Sequence, residues 1–575
     1  MASIMSVVLT TKAISLLKLF PLLLILVTLL DYIRMLLIRR HLPPGPFPLP
    51  LIGNHFQTPS VRPWITWQKW SHYYNNPLTT LWIGRHPRII VQDAWTASEL
   101  MEKKSELLSS RPRLVVMGDL IGATETNQTT MVYGDRWRMH RKLMHTVVGT
   151  QAVRNYRDFQ AAESKLLTRD LLLDPSDYVM SIERYSISTT SIIGWGRRIA
   201  EKNDYVAQQA LALMDGVNFV IPGLYILEAL PWLAHLPSWI YALPSQLRST
   251  SKLLFRYFYL LSLESANAED EKSSLASASA SASTSASRPS FAKTLVKSQR
   301  EQGLSDVEVA GLTANLIGGG VDTTSSTMIS CILALCAFPS VQAKAHAELD
   351  AVIGHSRSPT WEDIETTLSS PTGANSTMKT KLPYLTALVK ETLRWRTVTV
   401  LAGIPHANTK AFEYRGYKFP AGTNFTGNMW AIHRHEREFP CPDEFRPERF
   451  LSDDEGEENE WKRPYPNKSG INAFGWGRRV CSGQPLAEQG LLYSLTRLIW
   501  AFEVRPGLDE LGNETPLDIF AYTESENTRP IPFKARFIPR SESIRKIILE
   551  EAEGAREELR GYDGETKLTM ADAVA

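Results

Sequence analysis

The feature that most constrains this chain is a ten-residue, glycine-rich loop that presents one cysteine. The loop runs from Phe474 to Gly483 and reads FGWGRRVCSG. Cys481 follows two arginines, and the apolar residues after Pro485 have helical spacing. A helix N-terminus and a cation such as Arg479 both favour a thiolate over a thiol. The pattern therefore predicts a metal ligand or a nucleophile, with a small buried cysteine beside a turn as the alternative.

A second strong feature is a long apolar helix that contains three consecutive glycines. A capping box at 305–308 starts it, and the apolar run reaches Phe338, about 50 Å away at 1.5 Å per residue. The glycines 318–320 cost a helix about 2–3 kcal/mol relative to alanine. We expect a flat or bulky group to approach the backbone there, with Asp322 and Thr323 beside it to bind water and deliver protons. A helix crossing packed on glycine is the alternative.

The N-terminus predicts a membrane anchor. From Ala13 to Leu30 the chain is apolar except for Lys18 and two hydroxyls, which is close to the length that a membrane helix needs. Arginines follow it, and no small-residue cleavage site does, so we expect an uncleaved single span over 1–40 with a cytoplasmic body behind it. The proline-rich stretch at 42–54 is expected to be a stiff hinge.

The remaining composition predicts one large body rather than a nucleic-acid-binding or disulfide-bonded protein. The 575 residues are 43% hydrophobic and carry a net charge of +2, so no nucleic-acid partner is expected. The four cysteines form no disulfide framework, which suits a reducing compartment. We expect the body to span 41–545, with a mobile low-complexity surface insertion at 264–290 and a charged tail at 546–575.

Two helical patterns elsewhere bring polar groups onto one face. Trp137 and Arg141 are four residues apart and can offer an indole N–H and a guanidinium to one acceptor, although a surface stack is the alternative. Glu391 and Arg394 are three apart and can pair on one face. Arg449 completes a buried triad if the chain returns to that helix.

Taken together, five motifs resemble those of the cytochrome P450 family, in the family's order and at about its spacings. They are Phe474-x-x-Gly477-x-Arg479-x-Cys481-x-Gly483, Glu391-x-x-Arg394, Pro447-Glu448-Arg449-Phe450, Gly319-Gly320-Val321-Asp322-Thr323-Thr324 and Trp137-x-x-x-Arg141. The segment 382–449 is similar to that of filamentous-fungal microsomal members related to O-methylsterigmatocystin oxidoreductase.

The resemblance implies a mainly α fold, a triangular helical prism with a small β region, behind one transmembrane helix. It implies thiolate-ligated haem b, with Cys481 as the axial ligand of the iron. The implied haem contacts, most of them to propionates, are Trp137, Arg141, His406, Arg479, Phe474 and Gly320. It also implies proton delivery by Thr323 and Asp322 and a structural triad of Glu391, Arg394 and Arg449.

The resemblance further implies a monooxygenase of the endoplasmic reticulum membrane with a cytoplasmic catalytic domain. NADPH and O2 are the implied co-substrates, with electrons from NADPH–cytochrome P450 reductase and cytochrome b5 as an optional second donor. A lipophilic small molecule, such as a fungal polyketide, terpenoid or alkaloid, is the implied substrate. We expect it to contact 112–120, 219–230, 397–401 and the flank of the glycine triplet. A haem-thiolate isomerase or dehydratase that needs no O2, and a non-catalytic membrane-anchored haem protein, are the alternatives.

Overall fold

The fold is built mainly from helices, as the resemblance implied. The computed structural model describes residues 2–219, 225–276, 290–368, 378–451 and 459–574. Its α-helices in chain order are α1 (Ala2–Arg39), α2 (Pro63–Tyr74), α3 (Ala94–Ala97), α4 (Ala123–Thr126), α5 (Asp135–Val148), α6 (Thr150–Arg154), α7 (Arg157–Leu173), α8 (Tyr178–Trp195), α9 (Tyr205–Phe219), α10 (Ile226–Ala229), α11 (Leu243–Ala276), α12 (Phe291–Ser298), α13 (Asp306–Ala337), α14 (Pro339–Val352), α15 (Trp361–Ile364), α16 (Pro383–Trp395), α17 (Met429–Ile432), α18 (Gln484–Ala501) and α19 (Glu542–Leu559).

The strands form a small β region beside the helices. They are β1 (Leu78–Ile83), β2 (His86–Val91), β3 (Thr366–Leu368), β4 (Met378–Thr380), β5 (His406–Ala407), β6 (Phe412–Tyr414), β7 (Tyr417–Phe419), β8 (Asn424–Gly427), β9 (Phe502–Pro506) and β10 (Ala535–Pro539). One sheet has the order β1-β2-β8-β5, in which only β2 and β8 are parallel. The pairs β3–β4, β6–β7 and β9–β10 are antiparallel hairpins or ribbons.

Helix α13 runs through the middle of the helical body. The predicted capping box starts it: Ser305 and Glu308 exchange side-chain and backbone hydrogen bonds. Its apolar side chains are buried along most of its length, against α8, α9, α11, α16 and α18. It is long and apolar enough to cross a membrane, but 78% of its most apolar window is buried inside the protein. It is therefore a core helix, and it supplies one wall of the central cavity.

The N-terminal helix is a second candidate span, and its far end is docked on the body. Pro21–Arg39 has a mean hydropathy of 2.1 and is 6% buried. Met35 and Leu42 pack into the cluster that lies on the four-stranded sheet, and Asp31 pairs with Arg85 of the β1–β2 turn at 3.2 Å. The proline-rich hinge also follows this sheet, because Thr80 donates its backbone N–H to the carbonyl of Pro44. These contacts fix the direction in which α1 leaves the body.

Two sequence-based boundaries differ from the structure. The insertion predicted as a loop at 264–290 begins inside α11, which stays helical to Ala276 because alanine, glutamate and lysine are good helix formers. Residues 277–289 lie outside the described residues. Helix α19 crosses the boundary placed at 545 and buries Ile544, Ile548 and Leu559 against the body. The C-terminal helix is thus part of the folded body.

Candidate active site

A central cavity of about 460 Å³ joins most of the residues that the motifs singled out. The loop around Cys481 forms one wall, and the glycine-containing stretch of α13 forms another. The start of α5, with Trp137 and Arg141, closes an edge together with His406 and Arg479. Phe474 also lines this cavity. The site residues therefore lie together although they come from distant parts of the chain.

The loop fold that presents Cys481 requires glycine at position 477, where the backbone is left-handed and closely packed. Gly477 has a φ of +55°, and a Cβ there would lie 2.6 Å from the backbone oxygen of Met101. The N–H of Cys481 donates to the carbonyl of Phe474 at 2.9 Å, which closes the loop. Gly483 has an ordinary φ of −83° and precedes α18 directly. Of these two glycines, only Gly477 has the left-handed conformation.

The protein by itself does not favour the thiolate of Cys481. Burial raises the pKa of the thiol, against the opposing effects of the N–H groups of Gly483 and Gln484 and the charge of Arg141. Arg141, rather than Arg479, is thus the cation that acts on the sulfur. Because a coordinating metal deprotonates a thiol, the thiolate form depends on metal binding.

Three guanidiniums, two of them buried and that of Arg141 partly buried, lie along one edge of the cavity. Arg479 donates to the carbonyls of Ser109, Gln128 and Met131 at 2.7–2.8 Å, and its carbon Cζ lies 4.5 Å from the centre of the Trp137 ring. Trp137 donates its indole N–H to the carbonyl of Gln128 at 3.1 Å. Arg141 donates to the carbonyl of Val480 at 2.6 Å. Trp137 therefore stacks on Arg479 and is buried, which is neither of the arrangements expected from its spacing with Arg141.

The sequence analysis missed the third guanidinium, Arg111. Its side chain donates to the carbonyls of Thr129 and Ile404, and it lines the cavity near His406. The Nδ1 atom of His406 lies 2.6 Å from the carbonyl of Leu108, and burial lowers the pKa of this imidazole well below its usual value. A single arginine before a proline carries no recognisable pattern, so only the fold reveals Arg111.

The positive charge of the arginine-lined edge of the cavity suits a bound group that carries carboxylates. Burial lowers the pKa of Arg111, Arg141 and Arg479, the last to about 9, and none of the three forms an ion pair with a carboxylate within the described residues. Nor do three His, Cys, Asp or Glu side chains cluster anywhere in those residues to hold a metal ion. A lone cysteine sulfur suits a metal that arrives with its other ligands. A flat, apolar macrocycle with two carboxylates and a central iron matches all of these features.

On α13, two neighbouring glycines serve two different purposes. A Cβ on Gly320 would lie 2.2 Å from Cγ2 of Thr190 on α8, whereas a Cβ on Gly319 would meet nothing within 4 Å. Gly320 thus permits the helix crossing, which was the alternative reading of the triplet. Gly319 is the glycine that leaves open space for a bound group. The helix is α-helical throughout this stretch.

The structure separates Thr323 from Asp322. Thr323 lines the cavity, and its hydroxyl donates to the carbonyl of Gly319 at 2.7 Å. Asp322 is 7% exposed, accepts a hydrogen bond from the hydroxyl of Ser326 at 3.3 Å, and does not line the cavity. Successive residues point about 100° apart around a helix, so adjacent residues cannot face one cavity equally. Asp322 thus does not line the cavity beside Thr323, and its part in proton delivery stays a prediction.

The structure brings the three triad residues together. Arg394 donates two hydrogen bonds of 2.7 Å to the carboxylate of Glu391, and Nε of Arg449 lies 3.4 Å from the same carboxylate. All three side chains are buried, and Arg394 also donates to the carbonyls of His433 and Pro442. The segment with Arg449 therefore does return to α16, as the triad required.

His433, which carried no functional assignment, ties the cysteine loop to the end of α16. Its Nε2 accepts the backbone N–H of Asn472 at 3.0 Å, so its Nδ1 carries the proton and lies 2.5 Å from the hydroxyl of Thr397. Burial lowers its pKa to about 3. His433 is therefore neutral and holds these two parts of the chain together. His435, two residues later, is partly exposed and pairs with Glu438.

The fold and the site together define a haem-thiolate protein. A helical body encloses a cavity in which a single cysteine sulfur lies on one wall, the glycine stretch of α13 forms another wall, and arginines line an edge. Comparison with known proteins agrees, since residues 43–527 match the sequence profile described as "Cytochrome P450". The chain belongs to the cytochrome P450 family and is an oxidoreductase of its monooxygenase class. The haem of this family is bound through a cysteine thiolate.

Fungal relatives match almost the whole chain. Cytochrome P450 monooxygenase 113 of Postia placenta is 31% identical over 510 residues, which cover 88% of this chain and 93% of the relative. Cytochrome P450 monooxygenase yanC of Aspergillus niger is 31% identical over 534 residues, which cover 91% and 94%. A monooxygenase of Armillaria gallica is 30% identical over 528 residues, which cover 89% and 93%.

Proposed function

We propose that this protein inserts one oxygen atom from O2 into a lipophilic small molecule, a fungal secondary metabolite, using electrons from NADPH. The observation that carries the proposal is the arrangement of the cavity. The Cys481 sulfur and the Thr323 hydroxyl line the same enclosed space, and most of the remaining lining is apolar. A sulfur ligand, a proton donor and an apolar pocket are the parts that oxidation of an unactivated carbon requires from the protein.

Cys481 would then bind the haem iron through its sulfur, and the edge cations would hold the propionates. Arg141 and Arg479 bring positive charge to that edge, where Trp137 and His406 also lie, and charge-assisted hydrogen bonds to carboxylates are the strong ones. When bound, the haem supplies O2 activation, favoured by electron donation from the thiolate. Phe474 and the backbone near Gly320 flank it. The residues of the chain bind and orient the cofactor and exclude water from it.

Thr323 is the residue that moves a proton. Its hydroxyl donates to the Gly319 carbonyl and therefore presents its oxygen lone pairs to the cavity, where they can accept a hydrogen bond from water. Asp322 does not line the cavity, and its carboxylate accepts a hydrogen bond from the Ser326 hydroxyl. It therefore acts as a positioning residue. Glu391, Arg394 and Arg449 hold the wall behind the haem as a structural unit.

The lining favours a lipophilic substrate. Met117, Ile121, Leu213 and Met214 line the cavity, as do Phe255 and Val398. Two of the expected segments, 112–120 and 397–401, contribute to this lining. In the third expected segment, 219–230, residues 225–230 do not line the cavity. They pack instead behind segment 112–120, where Glu228 accepts the N–H groups of Val115 and Val116 at 3.0 Å. Residues 220–224 lie outside the described residues.

The surface around α1 supports the membrane placement that we propose. Exposed apolar side chains, which are Phe47, Leu49, Leu51, Phe56, Trp232, Trp239 and Ile240, lie in the hinge and in the segment after α10. The β1–β2 turn contacts the helices that precede both parts, because Arg85 pairs with Asp31 of α1 and Gly84 lies against Ala229 of α10. We expect a single-pass protein of the endoplasmic reticulum membrane, with its catalytic body in the cytoplasm. There it receives electrons from NADPH–cytochrome P450 reductase, with cytochrome b5 as an optional second donor.

The proposal is tested with the metabolite that accumulates when the gene is deleted from its host. This metabolite is incubated with the full-length protein, the reductase, NADPH and ¹⁸O2. The expected product carries one ¹⁸O atom and forms only when NADPH and O2 are both present. Turnover without them would contradict the proposal and would identify a haem-thiolate isomerase or dehydratase instead.

A further inference from the structure

The segment 563–574, which follows the C-terminal helix and its short continuation to Tyr562, docks on the body without forming a helix or a strand. We call it the C-terminal strap. It lies outside residues 43–527, the part of the chain that matches the family profile, and it takes no part in the chemistry described above. Because ordering an irregular segment costs conformational entropy, its contacts with the body have to compensate for that cost.

Two arginines in the connection between α8 and α9 fix the first part of the strap. The guanidinium of Arg198 pairs with the carboxylate of Asp563 at 3.3 Å. Arg197 donates to the carbonyl of Gly564 at 3.2 Å and also pairs with Asp204 at 3.0 Å. Asp204 in turn accepts two backbone N–H groups of the first turn of α9, at 2.9 and 3.1 Å. Arg197 therefore joins the strap to the start of α9.

Apolar side chains fix the second part of the strap against α9 and α11. Ala573 is 3% exposed and belongs to a buried apolar cluster with residues of both helices. Leu568 and Met570 of the strap pack against the same cluster. The backbone N–H of Met570 donates to the hydroxyl of Tyr205, the first residue of α9, at 3.1 Å. The strap thus contacts the N-terminal half of α9 through both polar and apolar groups.

The C-terminal half of α9 forms part of the cavity wall. Leu213 and Met214 of α9 line the cavity, as does Phe255 of α11. Leu213 and Phe255 also pack against the cluster that contains Ala573. One continuous apolar cluster therefore connects the strap to the lining of the cavity, and the position of α9 in the wall depends on the docked strap.

The strap is held less strongly than the helices on which it lies. Its final turn is closed by Thr569, whose backbone N–H and hydroxyl donate to the carboxylate of Asp572 at 2.7 and 2.9 Å. Of its twelve residues, only Ala573 is buried. Segments with few buried apolar contacts open locally at a low free energy, so the strap can detach while the body stays folded.

We propose that the C-terminal strap holds α9 against the cavity, and that its detachment allows α9 to move and so speeds the entry and release of ligands. The inference goes beyond the proposed function, because it concerns the exchange of bound molecules rather than their oxidation. A wall that moves to let a ligand pass controls both the association and the dissociation rate constant. The affinity depends instead on the bound and free states, so the strap changes the two rate constants more than Kd.

The test measures how fast an apolar ligand of haem iron enters and leaves the holoenzyme. 1-Phenylimidazole is mixed with the full-length protein in a stopped-flow instrument, and the Soret shift is followed. In Leu568→Asp, and in a protein truncated after Tyr562, both rate constants are expected to rise by about threefold to tenfold, while Kd changes by less than about twofold. Tyr205→Phe, which removes the acceptor of the Met570 N–H, is expected to raise both rate constants by less.

Matched controls separate the strap from general destabilisation. Val574→Asp, at an exposed position of the same segment, is expected to keep the rate constants of the wild type. The truncated protein is expected to keep its haem content and its ferrous–CO band. Unchanged rate constants in both Leu568→Asp and the truncated protein, or loss of haem from both, would overturn the inference. A wild type that shows no Soret shift at all would instead contradict the haem site, and with it the proposed function.

Discussion

At the scale of single residues, burial at the cavity shifts the pKa of three side chains away from their charged forms. The Cys481 thiol has a raised pKa, and the pKa of Arg141 and Arg479 is lowered. Each of these shifts opposes the charged form of its group, and a bound iron with two carboxylates would favour the charged forms. Binding of the cofactor and formation of the charged site are therefore one coupled process.

Thr323 provides the residue-scale prediction about catalysis. Replacing it by alanine removes the hydroxyl that faces the cavity and is expected to lower product formation by about tenfold to a hundredfold, while NADPH and O2 are still consumed. The measurement is the ratio of product formed to NADPH oxidised in the reconstituted enzyme. Ser325→Ala is the control, because Ser325 is buried and donates to Val321 on the same helix. Equal ratios in the wild type and Thr323→Ala would contradict the role.

His433 provides a prediction about pH. Its pKa is about 3 in the folded protein, below the usual value of 6.5, so its contribution to stability is present above pH 6.5 and is lost as pH falls towards 3. The unfolded state binds one more proton across this window, which corresponds to about 1.4 kcal/mol per pH unit. His433→Gln is expected to be less stable at pH 7 and to show a shallower loss between pH 6.5 and 4.5. Denaturant unfolding at several pH values measures both slopes, and parallel slopes would rule out His433 as the titrating group.

At the scale of elements, α13 shows what sequence could and could not predict. The capping box and the apolar run predicted its bounds, because both depend on residues close in the chain. The different roles of Gly319 and Gly320 depend on the position of Thr190 of α8. The direction of the Asp322 side chain depends on which face of α13 lines the cavity. The role of Arg111 could not be predicted either, because it arises from contacts with Thr129 and Ile404, which are distant from it in the sequence.

The crossing of α8 and α13 gives the element-scale prediction. Gly320→Ala places a Cβ 2.2 Å from Cγ2 of Thr190 and is expected to lower the free energy of unfolding by about 1–3 kcal/mol. Thr190→Ser removes that methyl group, so the double variant should recover most of the loss. Gly319→Ala, with open space around the new Cβ, is expected to fold as well as the wild type. Thermal unfolding of the four proteins measures this, and a double variant no better than Gly320→Ala would contradict the packing.

At the scale of the whole molecule, the body extends from the proline-rich hinge to the C-terminal helix. The family motifs predicted the fold class, the cofactor and the loop that presents the cysteine. They carried no information about α19, because its charged sequence hides a buried apolar stripe. That stripe, which includes Ile544, Ile548 and Leu559, packs on α7, and Glu551 pairs with Arg497 of α18 at 2.6 Å.

The C-terminal helix gives the whole-molecule prediction. Truncation after Ser541 exposes the surface that α19 covers and is expected to cost on the order of 5–10 kcal/mol, which is most of the stability of a typical protein. We expect the truncated protein not to retain haem. Ile548→Asp should behave in the same way, whereas Glu550→Ala, at an exposed position of the same helix, should be neutral. Haem content after purification measures the effect, and normal haem content in the truncated protein would show that α19 is dispensable.

The central claim is that Cys481 binds the iron of a haem in this cavity, and the ferrous–CO spectrum tests it most directly. The wild type is expected to show the long-wavelength Soret band that a thiolate ligand produces. Cys481→Ser should lose that band, while Cys441→Ser, at an exposed cysteine outside the cavity, should keep it. A wild-type spectrum without the band, or an unchanged spectrum and activity in Cys481→Ser, would contradict the account.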